Sequence, residues 1–169
     1  VVVLHVDASH PAKEWPTEHW MELARHLQQR GVGMVVTHAP GAALAHAALL
    51  AQPEHPDNMR FLPAMPLRSL LALVADCDAI VSVDGGVMHC AVALEVPTLA
   101  LFGPTDASIW FPYEEFGPYR VLHLGSVESE SQPNLQQAGC LQAILVEQVV
   151  RTLEVLLQRR PPSEGSATR

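Results

Sequence analysis

Residues 79–89 read AIVSVDGGVMH, and they hold the clearest fold signal in the chain. The first five are mostly apolar and rich in β-branched side chains, which predicts a buried strand. Asp84 and two glycines end that run, and the residues that follow predict a helix over 86–94. A strand that turns on glycines directly into a helix is typical of parallel sheets whose strands are joined by helices.

The same alternation of apolar runs and helical periodicity continues on both sides. Trp20, Leu23, Ala24 and Leu27 recur at helical spacing and predict a helix that stops at Gly31, a good C-cap residue. This order predicts an α/β domain: a Rossmann-like, three-layer fold with a parallel sheet of about six strands. The predicted strands are 1–6, 34–37, 59–62, 79–83, 98–102 and 121–124, and the predicted helices are 16–31, 42–51, 66–74, 86–94 and 139–158.

The end of the chain divides into a long helix and a polar tail. The apolar stripe of helix 139–158 predicts packing in a core or an interface, and its length is enough to reach past its own domain. Residues 159–169 (RRPPSEGSATR) have little to bury and predict a disordered tail. The predicted domain is therefore residues 1–158.

Length and composition exclude several classes of protein. The chain has 169 residues, of which 49% are hydrophobic, so we expect one domain with a full core. A net charge of −8 with no basic run argues against broad nucleic-acid binding, which needs a positive patch. Apolar runs such as 98–102 fall far short of the ~20 residues of a membrane span. The chain opens directly on a strand without a leader, so we expect that upstream sequence is missing.

Metal, dinucleotide and nucleophile motifs are not indicated. The three cysteines, Cys77, Cys90 and Cys140, form no CxxC pair, and the nine histidines form no HxxxH or HExxH pattern. Residues 76–78 match a DxD metal motif, but they precede a strand and so lie on the amino edge of the sheet. GxGxxG, P-loop and GxSxG signatures are missing. We therefore predict no metal and no cofactor, and the isolated cysteines favour a reducing cytoplasm.

The best candidate for a binding site follows the strand 79–83. Ligands of doubly wound sheets bind at the carboxyl ends of the strands, where Asp84 lies. Gly85 and Gly86 let the backbone approach a ligand, and the helix start offers free N–H groups. His89 falls in the first helical turn and can donate to an oxyanion. The pattern favours a phosphate or diphosphate, the alternative being a tight turn with Asp84 as helix N-cap and His89 packed against its neighbours.

Two further loops end at the same edge of the predicted sheet. After the first strand, Ser9 offers a hydroxyl and Lys13, the single lysine in the chain, offers a positive charge for a phosphate. The alternative for Lys13 is a solvated loop lysine. Thr105 and Asp106 follow the strand 98–102, where they either cap a helical turn or line the ligand crevice.

Four segments, in this order, resemble a known family: 13–20 (KEWPTEHW), 62–67 (LPAMPL), 82–89 (SVDGGVMH) and 96–106 (VPTLALFGPTD). Together they resemble the C-terminal domain of the lipopolysaccharide heptosyltransferases, glycosyltransferase family 9, which have the GT-B fold. The resemblance covers about residues 1–125, and the terminal helix also fits. It implies that the chain is the C-terminal half of a GT-B fold, a domain that binds a nucleotide sugar as donor.

The resemblance also implies an activity and a site. The enzymes of this family invert the anomeric centre, need no bound metal, and transfer heptose from ADP-heptose to the inner core of lipopolysaccharide. By position, Lys13 and His89 would be catalytic, because they would stabilise the charge that the leaving diphosphate gains. Ser9 and Lys13 would meet the donor phosphates, and Met65 would pack on adenine. The diphosphate and the sugar would be lined by Asp84, Gly85, Gly86 and His89.

The chain departs from the family pattern in three places. Gly85 stands where the family usually has Thr or Ser, and the acid expected to hold the ribose falls at residues 42–43, which are alanines. The N-terminal acceptor domain, with the general base, is absent from this chain, so we expect the chain alone to be inactive. The alternatives left open are a non-catalytic nucleotide- or anion-binding module on the same fold and a GT-B transferase for another nucleotide sugar.

The expected partners follow from the same resemblance. They are a nucleotide sugar of the ADP-heptose type and, through the missing domain, the lipopolysaccharide core acceptor, with no nucleic acid. The resemblance implies a cytoplasmic protein. It leaves open a peripheral association of the full-length protein with the cytoplasmic face of the inner membrane.

Overall fold

The computed structural model of the chain describes residues 1–8, 10, 13–41, 44–123 and 141–158. Within these ranges strands and helices alternate along the chain, and Leu141–Ala143 forms a turn of 3₁₀ helix. The strands are β1 (Val2–His5), β2 (Met34–Thr37), β3 (Met59–Phe61), β4 (Ala79–Val83), β5 (Thr98–Phe102) and β6 (Tyr119–His123). The helices are α1 (Thr17–Gln29), α2 (Leu44–Leu50), α3 (Leu67–Asp76), α4 (Gly86–Ala93), α5 (Ala107–Trp110) and α6 (Val146–Gln158).

The six described strands form one parallel sheet in the order β3-β2-β1-β4-β5-β6. The central strand β1 pairs with β2 on one side and β4 on the other, so that Val3 lies opposite Val35 and Ile80. The chain runs outward from β1 to β3, returns to β4 and runs outward again to β6, which is the doubly wound order. The predicted Rossmann-like α/β fold with about six parallel strands is confirmed.

Helices cover both faces because the central strands bury both faces. Neighbouring residues of a strand point to opposite sides of the sheet. Val2 and Leu4 accordingly join a core that includes Leu23 of α1 and Leu153 of α6, whereas Val3 packs with Leu70 of α3. The result is a three-layer fold with both faces of the sheet covered. Polar side chains can therefore gather where the strands begin or end, which are called here the amino and carboxyl edges of the sheet.

The end of α1 matches the sequence pattern. The helix ends at Gln29, and Gly31 has a φ of 67°, in the left-handed region that glycine adopts without strain. The predicted stop at Gly31 is confirmed.

The last helix is shorter than the predicted 139–158. It begins at Val146, because the residues before it hold other hydrogen bonds. The carbonyl of Ile144 accepts from Trp15 Nε1 at 3.0 Å, and the N–H of Leu145 donates to Gln148 Oε1 at 3.0 Å, which caps the helix start. The apolar stripe of α6 packs on α1 and the sheet. It therefore belongs to the core of this domain rather than reaching past it.

A helical turn after Thr105 and Asp106 was one of the two alternatives predicted there, and the structure forms it as the four-residue helix α5. The predicted tail 159–169 lies outside the described residues. In the ranges that the structure describes, no helix has the length and apolarity required to cross a bilayer.

Candidate functional site

The candidate site lies where the winding of the sheet reverses. β1 and β4 are neighbours, yet the chain continues from them to opposite sides of the sheet. In doubly wound sheets this arrangement opens a ligand crevice at the carboxyl ends of the two strands. Lys13 follows β1 and Asp84 follows β4, so both reach this crevice. Asp78 lies at the other edge of the sheet, where its backbone N–H donates to the carbonyl of Val1 at 2.8 Å. The DxD motif is therefore on the amino edge, as predicted.

Lys13 and Asp84 form a partly buried ion pair. The Nζ of Lys13 donates to Oδ2 of Asp84 at 2.6 Å, and the exposed fractions of the two side chains are 23% and 9%. The backbone N–H of Asp84 donates to the carbonyl of Leu101 at 3.0 Å and fixes the end of β4. The alternative of a solvated loop lysine is therefore wrong. The alternative of Asp84 as a helix cap is also wrong. The N-cap of α4 is Gly85, and no side-chain hydrogen bond caps this helix.

Thr105 and Asp106 are neighbours with different tasks. The hydroxyl of Thr105 donates to Oδ2 of Asp84 at 2.5 Å, which brings Thr105 into the candidate site. Asp106 instead caps α5, where its Oδ1 accepts from the backbone N–H and the hydroxyl of Ser108 at 2.9 and 2.6 Å. These bonds lower the pKa of Asp106. The sequence left two alternatives for these residues. Thr105 lies in the candidate site, and Asp106 caps a helical turn.

The two glycines at the start of α4 leave open space. Gly85 has φ −176°, an extended conformation that any residue adopts. A Cβ built on Gly85 would lie 3.8 Å from the carbonyl oxygen of Val83, an ordinary contact, and one built on Gly86 would meet nothing within 4 Å. The fold itself therefore does not require glycine at either position. What the glycines provide is unobstructed backbone beside Asp84, where the uncapped N–H groups of α4 begin.

His89 contacts an aromatic residue that the sequence did not indicate. It lies in the first turn of α4, half-buried, and its Nδ1 is 3.0 Å from the hydroxyl of Tyr113. The two rings meet edge to face at a centroid distance of 5.8 Å. The imidazole is thus held on one side by a polar contact, whereas the alternative prediction had only packing against neighbours.

Of the remaining predicted residues, the structure describes Met65 but not Ser9. Met65 precedes α3 and is half-buried against an apolar cluster that includes Val3 and Leu70. Ser9 lies outside the described residues, as do residues 42–43, where the ribose acid of the family was expected. Lys13, Asp84, Gly85, Gly86 and His89 are the predicted residues that the structure places at the carboxyl ends of β1 and β4.

Histidines and one carboxylate gather at the ends of β1 and β2, and sequence reasoning missed them. His5 is buried, its Nδ1 lies 3.0 Å from Thr37 Oγ1, and burial with the nearby His38 lowers its pKa to about 4. Asp7 accepts a backbone N–H at the start of α2 at 3.0 Å, and burial raises its pKa. Burial and His38, whose ring centroid is 4.2 Å away, lower the pKa of His46. No spacing along the chain signals this cluster.

Two cavities in the described part of the chain are lined by acidic residues. One, of about 680 Å³, lies beside α5 and includes Glu114 and Glu115. Another, of about 420 Å³, lies at the starts of α1 and α2 and includes Glu14 and Glu18. Neither lining contains lysine or arginine, so neither suits an anion. Within the described ranges, no group of three or more His, Cys, Asp or Glu side chains is arranged to hold a metal ion.

The crevice between β1 and β4 has the parts that a bound diphosphate needs. Lys13 supplies a positive charge, the start of α4 supplies free N–H groups at the positive end of a helix dipole, and His89 lies in the first turn of that helix. Asp84 is the acceptor in this group and suits a hydroxyl of a ligand. The arrangement is therefore suited to a ligand with adjoining phosphate and hydroxyl groups.

Comparison with known proteins gives consistent matches. The model for glycosyltransferase family 9 (heptosyltransferase) matches residues 1–141. Lipopolysaccharide heptosyltransferase 1 of Pseudomonas aeruginosa is 38% identical over 114 residues, which are 68% of this chain and 30% of that protein. The structure of E. coli ADP-heptose lps heptosyltransferase II has a TM-score of 0.76 at 30% identity, covering 94% of this chain and 46% of that one. E. coli heptosyltransferase WaaC with ADP-2-deoxy-2-fluoro heptose has a TM-score of 0.70 at 25% identity, covering 91% and 42%.

These matches extend over most of the chain but over a minor part of each relative. The chain spans 30% of the length of the Pseudomonas aeruginosa protein and 46% and 42% of the two solved chains. The family model, in contrast, covers far more than half of the chain, and the solved relatives share its sheet and helices. The chain belongs to glycosyltransferase family 9, the heptosyltransferases.

Proposed function

We propose that residues 1–158 are the donor-binding half of an inverting glycosyltransferase that transfers heptose from ADP-heptose to the lipopolysaccharide inner core. The observation that carries this proposal is the ion pair of Lys13 with Asp84 beside the uncapped start of α4. A nucleotide sugar needs a cation and N–H donors for its diphosphate and acceptors for its hydroxyls, all in one crevice. Membership of the heptosyltransferase family supports heptose, and the ligand of the solved relative supports ADP.

In the proposed reaction, residues of this chain stabilise the departing diphosphate. An acceptor oxygen forms a bond to the anomeric carbon of heptose while the bond from that carbon to the diphosphate breaks. The acceptor's proton passes to a base in the other half of the full-length protein. Lys13, His89 and the N–H groups of α4 would stabilise the charge that the diphosphate gains. Because an ammonium has three N–H donors, Lys13 is able to hold Asp84 and a phosphate oxygen together.

The proposal places the acceptor outside this chain. The lipopolysaccharide core would bind outside residues 1–158, so these residues alone should bind the donor without transferring its sugar. The full-length protein would act in the cytoplasm, at the membrane face where the lipid acceptor is available.

A non-catalytic nucleotide- or anion-binding module is the second candidate. Gly85 favours it, because there is room for a side chain at this position, and the hydroxyl usual in the family is nevertheless missing. The upstream sequence separates the two candidates. A second Rossmann-like half with an acid near its first glycine-rich loop would favour a transferase, and a different upstream domain would favour a module.

The direct experiment is a calorimetric titration of the chain with ADP, UDP, GDP and CMP in the presence of EDTA. Selective binding of ADP without metal is the result that the proposal requires. A preference for another nucleotide would redirect the proposal to a GT-B transferase for a different sugar. Binding of none of the four would contradict a donor site that is complete in this half.

Replacement of Lys13 by alanine tests the ion pair directly. We expect Lys13→Ala to weaken ADP binding by about tenfold, because a charge-assisted hydrogen bond to a phosphate is lost. Circular dichroism should show a folded domain. Arg25→Ala is the matched control, since it removes the same charge from an exposed position of α1. Equal affinities of Lys13→Ala and wild type would remove Lys13 from the site.

A further inference from the structure

Tyr113 is the partner of His89, and no sequence motif pointed to it. We propose that Tyr113 is a positioning residue: its hydroxyl donates to Nδ1 of His89 and holds the imidazole in the tautomer that presents Nε2–H to the donor diphosphate. The identity of the ligand in this inference rests on the function proposed above. The contact between His89 and Tyr113 is independent of that function, whereas the direction of the hydrogen bond is argued from the anionic ligand.

The contact between the two side chains is specific. Nδ1 of His89 lies 3.0 Å from the hydroxyl of Tyr113, within hydrogen-bond distance, and the rings are nearly perpendicular, at 80°. In the described part of the chain, Nδ1 has no other hydrogen-bond partner, and neither has the Tyr113 hydroxyl. Nε2 has no protein partner there at all, so it is the nitrogen left for a ligand.

Tyr113 is itself anchored in the core. Its ring packs edge to face on Phe111, with centroids 5.1 Å apart, and Phe111 is 2% exposed. Phe111 in turn lies against Phe102, the last residue of β5, at 6.1 Å. The backbone N–H of Phe111 donates to the carbonyl of Ala107 at 2.8 Å, which fixes the chain at the end of α5. The hydroxyl therefore reaches His89 from a rigid base.

The chemistry of imidazole explains why the direction of this bond matters. A neutral histidine has one N–H donor and one acceptor nitrogen, and the partner of one nitrogen determines the role of the other. If Tyr113 donates to Nδ1, Nε2 carries the proton and is a donor. If Tyr113 accepted from Nδ1, Nε2 would present a lone pair, which a diphosphate would repel. A site built for an anion therefore requires that the hydroxyl donates.

A magnetic resonance experiment tests the tautomer without any ligand. Long-range ¹H–¹⁵N spectra at about pH 8, above the usual histidine pKa, should show the Nε2–H form of His89 in the wild type. Tyr113→Phe should shift His89 towards a mixture of both tautomers. Tyr119→Phe is the matched control, because the hydroxyl of Tyr119 donates to the Val92 carbonyl at 3.2 Å. An Nδ1–H form in the wild type, or no change in Tyr113→Phe, would overturn the inference.

A binding cycle connects the tautomer to the proposed function. Tyr113→Phe should weaken ADP binding about threefold to tenfold, as expected for one lost hydrogen bond, and Tyr119→Phe should not. In a His89→Ala background, Tyr113→Phe should have no further effect, because a positioning residue acts through His89. Additive losses would contradict positioning. Failure of the wild type to bind ADP would contradict the proposed function, and the tautomer measurement would still decide the role of Tyr113.

Discussion

Asp84 receives two donors on one carboxylate oxygen, and this asymmetry defines its chemistry. Lys13 Nζ and the Thr105 hydroxyl both bond Oδ2, at 2.6 and 2.5 Å. Among the described residues, Oδ1 receives no hydrogen bond, so it remains an acceptor for a ligand hydroxyl. Thr105 thereby orients the carboxylate from the β5 side of the crevice, while Lys13 neutralises its charge from the β1 side.

At the residue scale, Thr105 should affect the sugar more than the nucleotide. We expect Thr105→Val, which keeps the shape but loses the hydroxyl, to weaken ADP-heptose binding about fivefold, the effect of one hydrogen bond. The affinity for ADP alone should change little, because ADP lacks the heptose that Oδ1 of Asp84 would hold. Thr105→Ser should restore the affinity. Equal weakening of ADP and ADP-heptose, measured by calorimetry, would argue against orientation of Asp84.

At the scale of elements, α4 and α6 serve different purposes. α4 begins at Gly86, and its N-cap Gly85 provides no side-chain hydrogen bond, so its first N–H groups remain available to a ligand. α6 is capped by Gln148 and turns a stripe of buried residues to α1 and the sheet. An uncapped helix start costs stability unless a ligand or water satisfies it. The capped helix at the other end of the chain stabilises the fold and takes no part in the site.

The core role of α6 predicts a large effect from one truncation. Leu153 is 1% exposed, so Leu153→Ala should lower the free energy of unfolding by about 2–5 kcal/mol, through lost burial and a residual cavity. Val155→Ala on the same helix is the control, because Val155 is 43% exposed and should cost little. Urea denaturation measures both. Similar midpoints for the two variants would mean that α6 serves an interface and not this core.

At the scale of the whole molecule, the acid response depends on the histidine cluster beside the site. The pKa of His5 is lowered from 6.5 to about 4 by burial and by His38, and the pKa of His46 is lowered for the same reasons. Between pH 6.5 and 4 the unfolded chain therefore binds protons that the folded chain excludes. Stability is complete above this window and falls as the pH decreases through it. The pKa of Asp7 is raised, so protonation of this carboxylate favours the folded chain and partly offsets the loss of stability at the acid end of the window.

The chain should therefore lose stability as the pH falls through the mildly acidic range. We expect the free energy of unfolding to fall between pH 7 and pH 4, with His5 alone contributing about 3 kcal/mol. His5→Gln should flatten this dependence, because the side chain that unfolding protonates is gone. His26→Gln, on α1, is the control and should keep the wild-type slope. Chemical denaturation at several pH values measures the free energy of unfolding. If its pH dependence in His5→Gln equals that of the wild type, His5 is not the group responsible.

The predicted elements correspond closely to the described ones where short-range patterns are strong. Strands β4 and β5 have the predicted bounds, and α1 ends at Gln29, just before the left-handed Gly31 that was predicted to stop it. The predicted start of α6 was wrong. The indole N–H of Trp15, far away in sequence, donates to the carbonyl of Ile144, and the helix begins only after that residue. Periodicity reports which face of a segment is apolar, but it does not report which carbonyl a distant indole will use.

The amino-acid sequence by itself determined the α/β class, the parallel sheet and the edge on which Lys13, Asp84 and His89 lie. These depend on periodicity and on the order of strands and helices, which are properties of neighbouring residues. Only the tertiary structure decided that Thr105 bonds Asp84 and that Tyr113 bonds His89, across 21 and 24 positions. Such pairings arise because the sheet brings separate loops to one edge, and no local pattern encodes the distance between loops.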